Sequence, residues 1–241
     1  MLDVTWLGQV EYDVAWEMQK TAVSHRHATS DLTDILFLLE HPPTYTLGRS
    51  GKLDNLLLTD TELDEQGFCV RWVDRGGDIT YHGPGQLVGY PIFNLQRYFH
   101  KNGFDRPDLH KYLRNLEAVI MHALAGFGIN SRRFDGYTGV WVDTPGGPEK
   151  IAAIGVKVSG SGISSHGFAL NVNPDLLHFE NIIPCGIKEH GVTSMAVVGE
   201  RPFTTTDLLQ PITDAFQTVF KVAVNARLEQ IKTRQGDKMT G

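Results

Sequence analysis

Cysteine is scarce in this chain. Only Cys69 and Cys185 occur among 241 residues, which excludes a fold held together by several disulfide bonds. Long apolar runs are also lacking, since no stretch approaches the ~20 consecutive apolar residues that a membrane-spanning helix needs. The first residues, MLDVTWLGQVEYD, contain no apolar signal-peptide core. We therefore expect a cytoplasmic protein without a secretory leader.

Excess positive charge is lacking as well. The chain has 22 Lys and Arg residues against 28 Asp and Glu residues, a formal net charge of −6. Broad binding to nucleic acid favours a basic surface, so nucleic acid is not an expected partner. The composition is otherwise globular, with 41% hydrophobic residues. Because neither a repeat nor a Pro/Gly/Ser-rich linker divides the sequence, we expect a single domain over residues 1–241, with a frayed polar tail from about residue 228.

Hydrophobic periodicity predicts an α+β fold. Helices are predicted over residues 12–29, 107–127 and 206–222, the last capped by Thr205 or Thr206. Strands are predicted over residues 34–40, 68–73, 86–95, 138–142, 150–158 and 166–172, with a tight loop at 144–150. The strands do not alternate regularly with helices, which disfavours a doubly wound parallel sheet. The pattern instead indicates one mixed, largely antiparallel sheet flanked by helices.

The segment RGGDITYHGPGQ, residues 75–86, is rich in glycine and proline. Glycine allows backbone N–H groups to approach a ligand closely, and here it surrounds Arg75, Thr80, Tyr81 and His82. The alternative interpretation is a glycine-rich hairpin loop without a ligand. A phosphate-binding loop is less favoured, because the sequence contains neither a Walker motif nor a Rossmann glycine motif.

Two further segments combine small residues with ionisable ones. KIAAIGVKV, residues 150–158, alternates as a strand, with Lys150 at its start and Lys157 inside it. SHGFALNVN, residues 165–173, is a second such strand, in which His166 precedes Gly167 and Ala169. Small residues suit the floor of a pocket. Without a pocket, the lysines are solvated and the histidine is structural.

Cys185 is the candidate nucleophile. It lies in the turn IIPCGI, residues 182–187, whereas Cys69 lies in the apolar run FCVRWV, where a packed thiol is expected. A thiol with a pKa near 8.5 is only about 3% ionised at pH 7, so a reactive cysteine needs a neighbouring cation or base. His82, His166 and Lys150 are candidates for this partner, and the residues alone do not select one. The motifs H-E-x-x-H, C-x-x-C and G-x-S-x-G do not occur, which disfavours a metal site and an α/β-hydrolase.

Taken together and in order, these segments resemble a known family. RGGDITYHGPGQLVGYPI, KIAAIGVKVS, SHGFALNVNPDL and IIPCGI resemble the octanoyltransferases of lipoate synthesis, also called lipoyl(octanoyl) transferases. HPPTYTLGR at 41–49 and VTS at 192–194 are similar to that family too, so the resemblance covers about residues 35–200. It implies a single catalytic domain with the α+β fold of biotin and lipoate protein ligases.

The resemblance also implies a reaction and its residues. An octanoyl group would pass from octanoyl-acyl carrier protein, through a thioester on Cys185, to a lysine of an apo lipoyl domain. The acceptors would be E2 subunits of oxo-acid dehydrogenases and the glycine-cleavage H protein, and no cofactor, metal ion, nucleic acid or membrane is expected. Lys150 falls on the catalytic lysine of the family, and His166 is a supporting candidate. The substrate-binding residues implied are Arg75, Gly76, Gly77, Asp78, Ile79, Thr80, Tyr81, His82, Ala153, Ile154, Gly155, Gly167, Phe168 and Ala169.

Two rival functions stay open at this level. An ATP-dependent lipoate or biotin ligase has the same fold and needs no cysteine, although the sequence shows no ligase-type basic motif. A module that binds lipoyl domains or carrier protein without catalysis would have no use for Cys185 and Lys150.

An acidic carrier protein as donor would require a local basic surface on the enzyme. The sequence does not locate this surface, and Arg97, Arg132 and Arg133 are the candidates.

Overall fold

A mixed sheet forms the centre of the computed structural model, which describes residues 1–29, 32–183 and 190–229. Its strands are β1 (Leu2–Gln9), β2 (Asp34–Glu40), β6 (Gln86–Ile92), β7 (Arg132–Phe134), β8 (Tyr137–Thr144), β9 (Gly147–Val158), β10 (Ser164–Asn171) and β11 (Val224–Arg227). They are ordered β11-β1-β2-β6-β10-β9-β8-β7. The pairs β11–β1 and β1–β2 are parallel, and β2–β6, β6–β10, β10–β9, β9–β8 and β8–β7 are antiparallel. The predicted α+β class, with a mixed and largely antiparallel sheet, is confirmed.

A smaller sheet holds the glycine-rich segment in place. It consists of β3 (Thr44–Leu47), β4 (Cys69–Trp72) and β5 (Ile79–His82), ordered β4-β3-β5. Tyr45, Phe68 and Tyr81 pack its apolar side, with ring centroids 5.1 to 6.2 Å apart. This packing fixes the position of β5. Just before β5, the Gly76 amide donates a hydrogen bond of 3.0 Å to the Val156 carbonyl oxygen in β9.

Helices cover both faces of the large sheet. The helices of the described residues are α1 (Tyr12–Ala28), α2 (Asp60–Gln66), α3 (Leu95–Lys101), α4 (Leu109–Ala125), α5 (Met195–Val198) and α6 (Leu209–Phe220). Of these, α2 packs on the small sheet through Leu63. The apolar stripes of α4 and α6 pack in the main core together with Phe168 and Leu170 of β10. On the opposite face, Ala15 of α1 packs against Val88 and Ala169.

Most predicted elements are confirmed, with different ends. The helix predicted over 107–127 begins at Leu109, because the Asp108 side chain caps it by accepting a 2.9 Å hydrogen bond from the Lys111 amide. The last helix begins at Leu209, after a 3-10 turn. Its predicted cap at Thr205 or Thr206 is wrong, because the capping box is formed by Thr204 and Asp207.

Two segments expected as loops, residues 144–150 and 75–86, contain strand residues. The run 144–150 was predicted as a loop, but β8 and β9 pair as far as Thr144 and Gly147. The turn is therefore only Pro145 and Gly146, and Lys150 is the fourth residue of β9 rather than its first. The segment 75–86 is not one hairpin loop, because β5 occupies its middle.

The ends of two other predictions differ as well. The strand predicted over 86–95 stops at Ile92, since Asn94 caps α3 with a 2.9 Å hydrogen bond from the Arg97 amide. Most of the predicted polar tail, residues 230–241, lies outside the described residues. Over the three described stretches of chain, no helix is long and apolar enough to cross a membrane.

Candidate active site

A cavity of about 590 Å³ lies where the large sheet faces the segment Arg75–His82. Three separate parts of the sequence meet there. The predicted site residues that line it are Arg75, Gly76, Gly77, Asp78, Ile79, Thr80, His82, Lys150, Ala153, Ile154, Gly155, His166, Gly167, Phe168 and Ala169. Tyr81 does not line it, because its ring is buried beside Tyr45 on the apolar side of the small sheet.

Strand register explains why two of these parts coincide. In the β9–β10 pair, Ala153 faces Ala169, Ile154 faces Phe168 and Gly155 faces Gly167. Side chains alternate between the faces of a strand, so the residues of each pair lie on the same face. The two sets of predicted residues are thus cross-strand neighbours in the middle of the sheet.

The two glycines admit neighbouring backbone. A Cβ atom on Gly155 would lie 2.9 Å from the Gly76 carbonyl oxygen and 3.1 Å from Cδ of Arg75. A Cβ atom on Gly167 would lie 2.1 Å from the Gly89 carbonyl oxygen. Both contacts are too short for a side chain. The space expected beside these glycines is therefore occupied by neighbouring chain. Ala153 and Ala169 line the cavity as well.

Arg75 places a buried positive charge in the wall. Its Nη2 donates to the carbonyl oxygen of Thr46 at 2.8 Å and to the Thr46 hydroxyl at 2.9 Å. Its Nη1 donates to the Gly76 carbonyl oxygen at 3.1 Å. Arg75 thus joins the small sheet to the segment that crosses β9.

The Arg75 charge acts on the nearby side chains of Tyr12, His82 and Tyr90. The rings of Tyr12 and His82 stack with centroids 5.9 Å apart, and Nε2 of His41 lies 2.7 Å from the Tyr90 hydroxyl. Burial lowers the pKa of His41 to about 4 and holds the pKa of His82 well below its ordinary value. Burial also raises the pKa of Tyr12 to about 12. The histidines and tyrosines are therefore uncharged near pH 7.

Sequence reasoning missed several lining residues. Tyr90 and Gln86 lie inside the RGGDITYHGPGQLVGYPI motif, so that motif contained the signal for them. Tyr12 reaches the cavity from the first residue of α1, and Trp141 from β8. No local pattern links either residue to the motifs.

His166 lies at the other end of the strand from Lys150. It faces Val156, six residues beyond Lys150 in β9, which corresponds to about 20 Å along the strand. Nε2 of His166 is 2.7 Å from the Asp74 carboxylate, and Asp74 also pairs with Lys157 at 2.5 Å. Burial lowers the pKa of His166, and the hydrogen bond from His166 holds the pKa of Asp74 well below its usual range. Asp74 thus binds both Lys157, through an ion pair, and His166, through a hydrogen bond, and this cluster lies away from Lys150.

Lys150 is joined to the chain that follows residues 184–189. Its amide donates to the Gly191 carbonyl oxygen at 3.0 Å, and the Thr193 amide donates to the Lys150 carbonyl oxygen at 3.0 Å. The Lys150 ammonium lies 4.9 Å from the centroid of the Trp141 ring, and the His190 ring packs on the same indole at 5.6 Å. The predicted nucleophile, Cys185, lies outside the described residues.

Comparison with known proteins identifies the family. Residues 11–217 match the lipoyl protein ligase A/B catalytic domain. An octanoyltransferase of Chloroflexus aggregans is 48% identical over 202 residues, which cover 83% of this chain and 87% of that protein. An octanoyltransferase of Rubrobacter xylanophilus is 51% identical over 196 residues, covering 80% and 82%. The chain belongs to the octanoyltransferase family.

Solved structures agree with this assignment at the level of the fold. The chain of a bi-partite lipoate protein ligase from Thermoplasma acidophilum superposes with a TM-score of 0.67 at 15% identity, covering 96% of this chain and 88% of that one. A lipoate-protein ligase A bound with ATP gives 0.65 at 15% identity, covering 96% and 90%. The octanoyltransferase fold is thus that of lipoate ligases, and the chain is an enzyme of lipoate-related acyl transfer.

Proposed function

We propose that this enzyme moves an octanoyl group from octanoyl-acyl carrier protein to a lysine of an apo lipoyl domain, through a thioester on Cys185. The acceptors are the lipoyl domains of oxo-acid dehydrogenase E2 subunits and the glycine-cleavage H protein. One observation carries the proposal most: Lys150, the glycine-rich segment and residues 190–192 line the same cavity. Cys185 is only five residues before His190 in the chain.

The first step is an exchange of thioesters. The Cys185 thiolate attacks the carbonyl carbon of the octanoyl thioester, a new C–S bond forms, and the bond to the carrier's sulfur breaks. Exchange between two thioesters changes little free energy, so no ATP is required. The Lys150 ammonium stabilises the Cys185 thiolate and gives a proton to the departing carrier thiolate, which leaves Lys150 as a neutral amine.

The second step forms the amide. An acceptor lysine with a pKa near 10.4 is almost wholly protonated at pH 7 and must lose a proton before it attacks. Lys150, neutral after the first step, takes this proton. As the amide forms, the C–S bond breaks, the nitrogen releases its second proton to solvent, and Cys185 departs as a thiolate that the Lys150 ammonium stabilises. His82 and His166 are less suited to this role, because burial lowers the pKa of both and His166 lies about 20 Å along the strand from Lys150.

The cavity supplies binding energy for the acyl chain. Ala153, Ile154 and Phe168 provide apolar surface in its wall. At about 0.8 kcal/mol for each buried CH₂ group, a chain with seven carbons beyond the carbonyl contributes roughly 5 kcal/mol. The hydrogen bond from the Gly76 amide to the Val156 carbonyl oxygen holds the Arg75–His82 segment against β9.

Cys185→Ala tests covalent catalysis. The wild-type enzyme, incubated with octanoyl-acyl carrier protein and without an acceptor, is expected to gain one octanoyl group by intact mass, located on Cys185 by peptide mapping. The variant should gain none and transfer none. Cys69→Ala is the matched control and should keep the adduct. Full transfer by Cys185→Ala would exclude the thioester, and transfer that requires ATP and free octanoate would indicate a ligase.

Lys150→Arg tests the proton transfer. Arginine keeps the positive charge but does not release a proton near neutral pH. We expect turnover to fall by about a hundredfold or more. Lys157→Arg, on the same strand but paired with Asp74, is the control. Turnover near the wild-type rate in Lys150→Arg would rule out the proton-transfer role while leaving the thioester intact.

A further inference from the structure

The surface at the start of α4 has the opposite charge to the chain as a whole. Residues 97–133 contain seven Lys and Arg residues but only three Asp and Glu residues, although the chain has a net charge of −6. Exposed cations are concentrated around the loop from α3 to α4 and the first turn of α4. We call this the α4 surface, formed by Lys101, Arg106, Leu109, Lys111 and Arg114.

The α4 surface borders the cavity. Leu109 lines the cavity, yet 46% of its surface is exposed, and Leu113 lines the cavity one turn further along the helix. The exposure of Leu109 sets it apart from Tyr112 and Leu116 of the same helix, which are buried. The cavity wall therefore reaches the protein surface among these cations.

The positive charge is only partly balanced. Glu117 is fully buried and pairs with both Arg114 and Arg133 at 2.8 Å, so one carboxylate lies between two guanidinium groups. Asp108 and Asp105 are the other acidic residues of this region, and Asp108 caps the helix. The Lys111 ammonium lies 4.1 Å from the centroid of the Phe104 ring and is exposed.

Two of the arginines that the sequence offers as candidates for the basic surface pair with carboxylates elsewhere. Arg97 pairs with Asp34 at 2.9 Å, and Arg132 pairs with Asp143 at 2.6 Å. Each of these pairs joins one cation to one carboxylate, so neither adds to the net charge of a docking surface. Arg106 and Lys111 are the exposed Lys and Arg residues that lie next to Leu109 in the chain, three residues before it and two after it.

A second group of exposed leucines has the wrong charge for an acidic partner. Leu53 and Leu57 are more than half exposed. The Leu57 amide donates a hydrogen bond to the carbonyl oxygen of Asn181, four residues after exposed Leu177. Four acidic residues, Asp54, Asp60, Asp175 and Glu180, accompany them against the two cations Arg49 and Lys52. Charge complementarity therefore favours the α4 surface.

We propose that the α4 surface docks the acidic acyl carrier protein that delivers the octanoyl thioester. The inference rests on the proposed function. Opposite charges steer the encounter and orient the carrier, so that its acyl group arrives next to Leu109 and the cavity.

Charge reversal at two exposed cations tests the proposal. Arg106→Glu combined with Lys111→Glu alters the α4 surface without changing a residue that lines the cavity. With octanoyl-acyl carrier protein, KM should rise about tenfold or more while kcat stays within about twofold. With octanoyl-pantetheine, a small uncharged donor, kcat/KM should stay within about twofold. Added salt should raise the wild-type KM for the carrier and affect the double variant less.

Lys20→Glu is the matched control, since Lys20 is an exposed lysine of α1 on the opposite face of the sheet. It should leave both donors unaffected, and thermal unfolding should show that all variants are folded. An unchanged KM for the carrier, an equal loss with octanoyl-pantetheine, or a rise in KM for the acceptor domain alone would each overturn the inference. If the wild-type enzyme transfers from neither donor, the proposed function fails and takes the inference with it.

Discussion

Two lysines of β9 have different surroundings, although the sequence offers both as candidates. Lys157 pairs with Asp74 at 2.5 Å, next to His166. Lys150 lies over the Trp141 ring, and its backbone is paired with residues 191–193. The residues around Lys157 alternate in the same way as those around Lys150, so periodicity alone could not separate them. The family resemblance could, because it depends on the order of several segments.

Gly155 allows the glycine-rich segment to lie on β9. A Cβ atom at this position would be 2.9 Å from the Gly76 carbonyl oxygen, so Gly155→Ala must move the backbone of that segment. We expect a loss of about 1–3 kcal/mol in the free energy of unfolding. Because Arg75 and the wall move with the segment, kcat/KM for octanoyl transfer should fall by about ten- to a hundredfold. Chemical denaturation and steady-state kinetics measure the two effects.

Gly160→Ala is the matched control for this substitution. Gly160 lies in the turn between β9 and β10, and a Cβ atom there meets nothing within 4 Å. Its activity should remain that of the wild-type enzyme. Equal kcat/KM values in Gly155→Ala and Gly160→Ala would show that the close contact of the segment with β9 is not needed for transfer.

At the scale of elements, the sequence predicts what is long or strongly periodic. α4 is predicted because its apolar stripe repeats over 17 residues. β3 and β5 are four residues each and pair with each other across more than thirty residues of chain. Their pairing is non-local, and the glycines around β5 indicate a loop. β1 is also absent from the predicted strands. Its buried residues alternate at Leu2, Val4 and Trp6, but it pairs with β11 from the other end of the chain.

In the candidate site, too, residues on strongly periodic strands are predictable, and residues brought in by tertiary packing are not. The residues of β9 and β10 are predictable as a set, because strand register brings their matching positions together. Tyr12 and Trp141 are not, since they reach the cavity from α1 and β8 through tertiary packing. Tyr81 is predicted as a lining residue because it lies within a motif, but its ring packs against Tyr45 and Phe68 in the core of the small sheet.

At the scale of the whole molecule, burial of neutral histidines makes the fold sensitive to acid. The pKa of His41 is lowered from 6.5 to about 4, and burial also lowers the pKa of His82 and of His166. As the pH falls below 6.5, the unfolded chain binds protons that the folded chain does not. Stability therefore falls as the pH falls from 6.5 to 4. His41 alone contributes up to about 1.4 kcal/mol per pH unit, or roughly 3 kcal/mol over this interval.

His41→Gln isolates this contribution. At pH 7 the variant should be less stable than the wild-type enzyme, because His41 is hydrogen-bonded to the Val10 carbonyl oxygen and the Tyr90 hydroxyl. At pH 5 the wild-type enzyme has lost stability that the variant cannot lose, so the difference should shrink by roughly 2 kcal/mol. Urea denaturation at the two pH values measures it, with exposed His25→Gln as the control. A difference that is the same at both pH values would mean that His41 is protonated equally in the folded and unfolded chains.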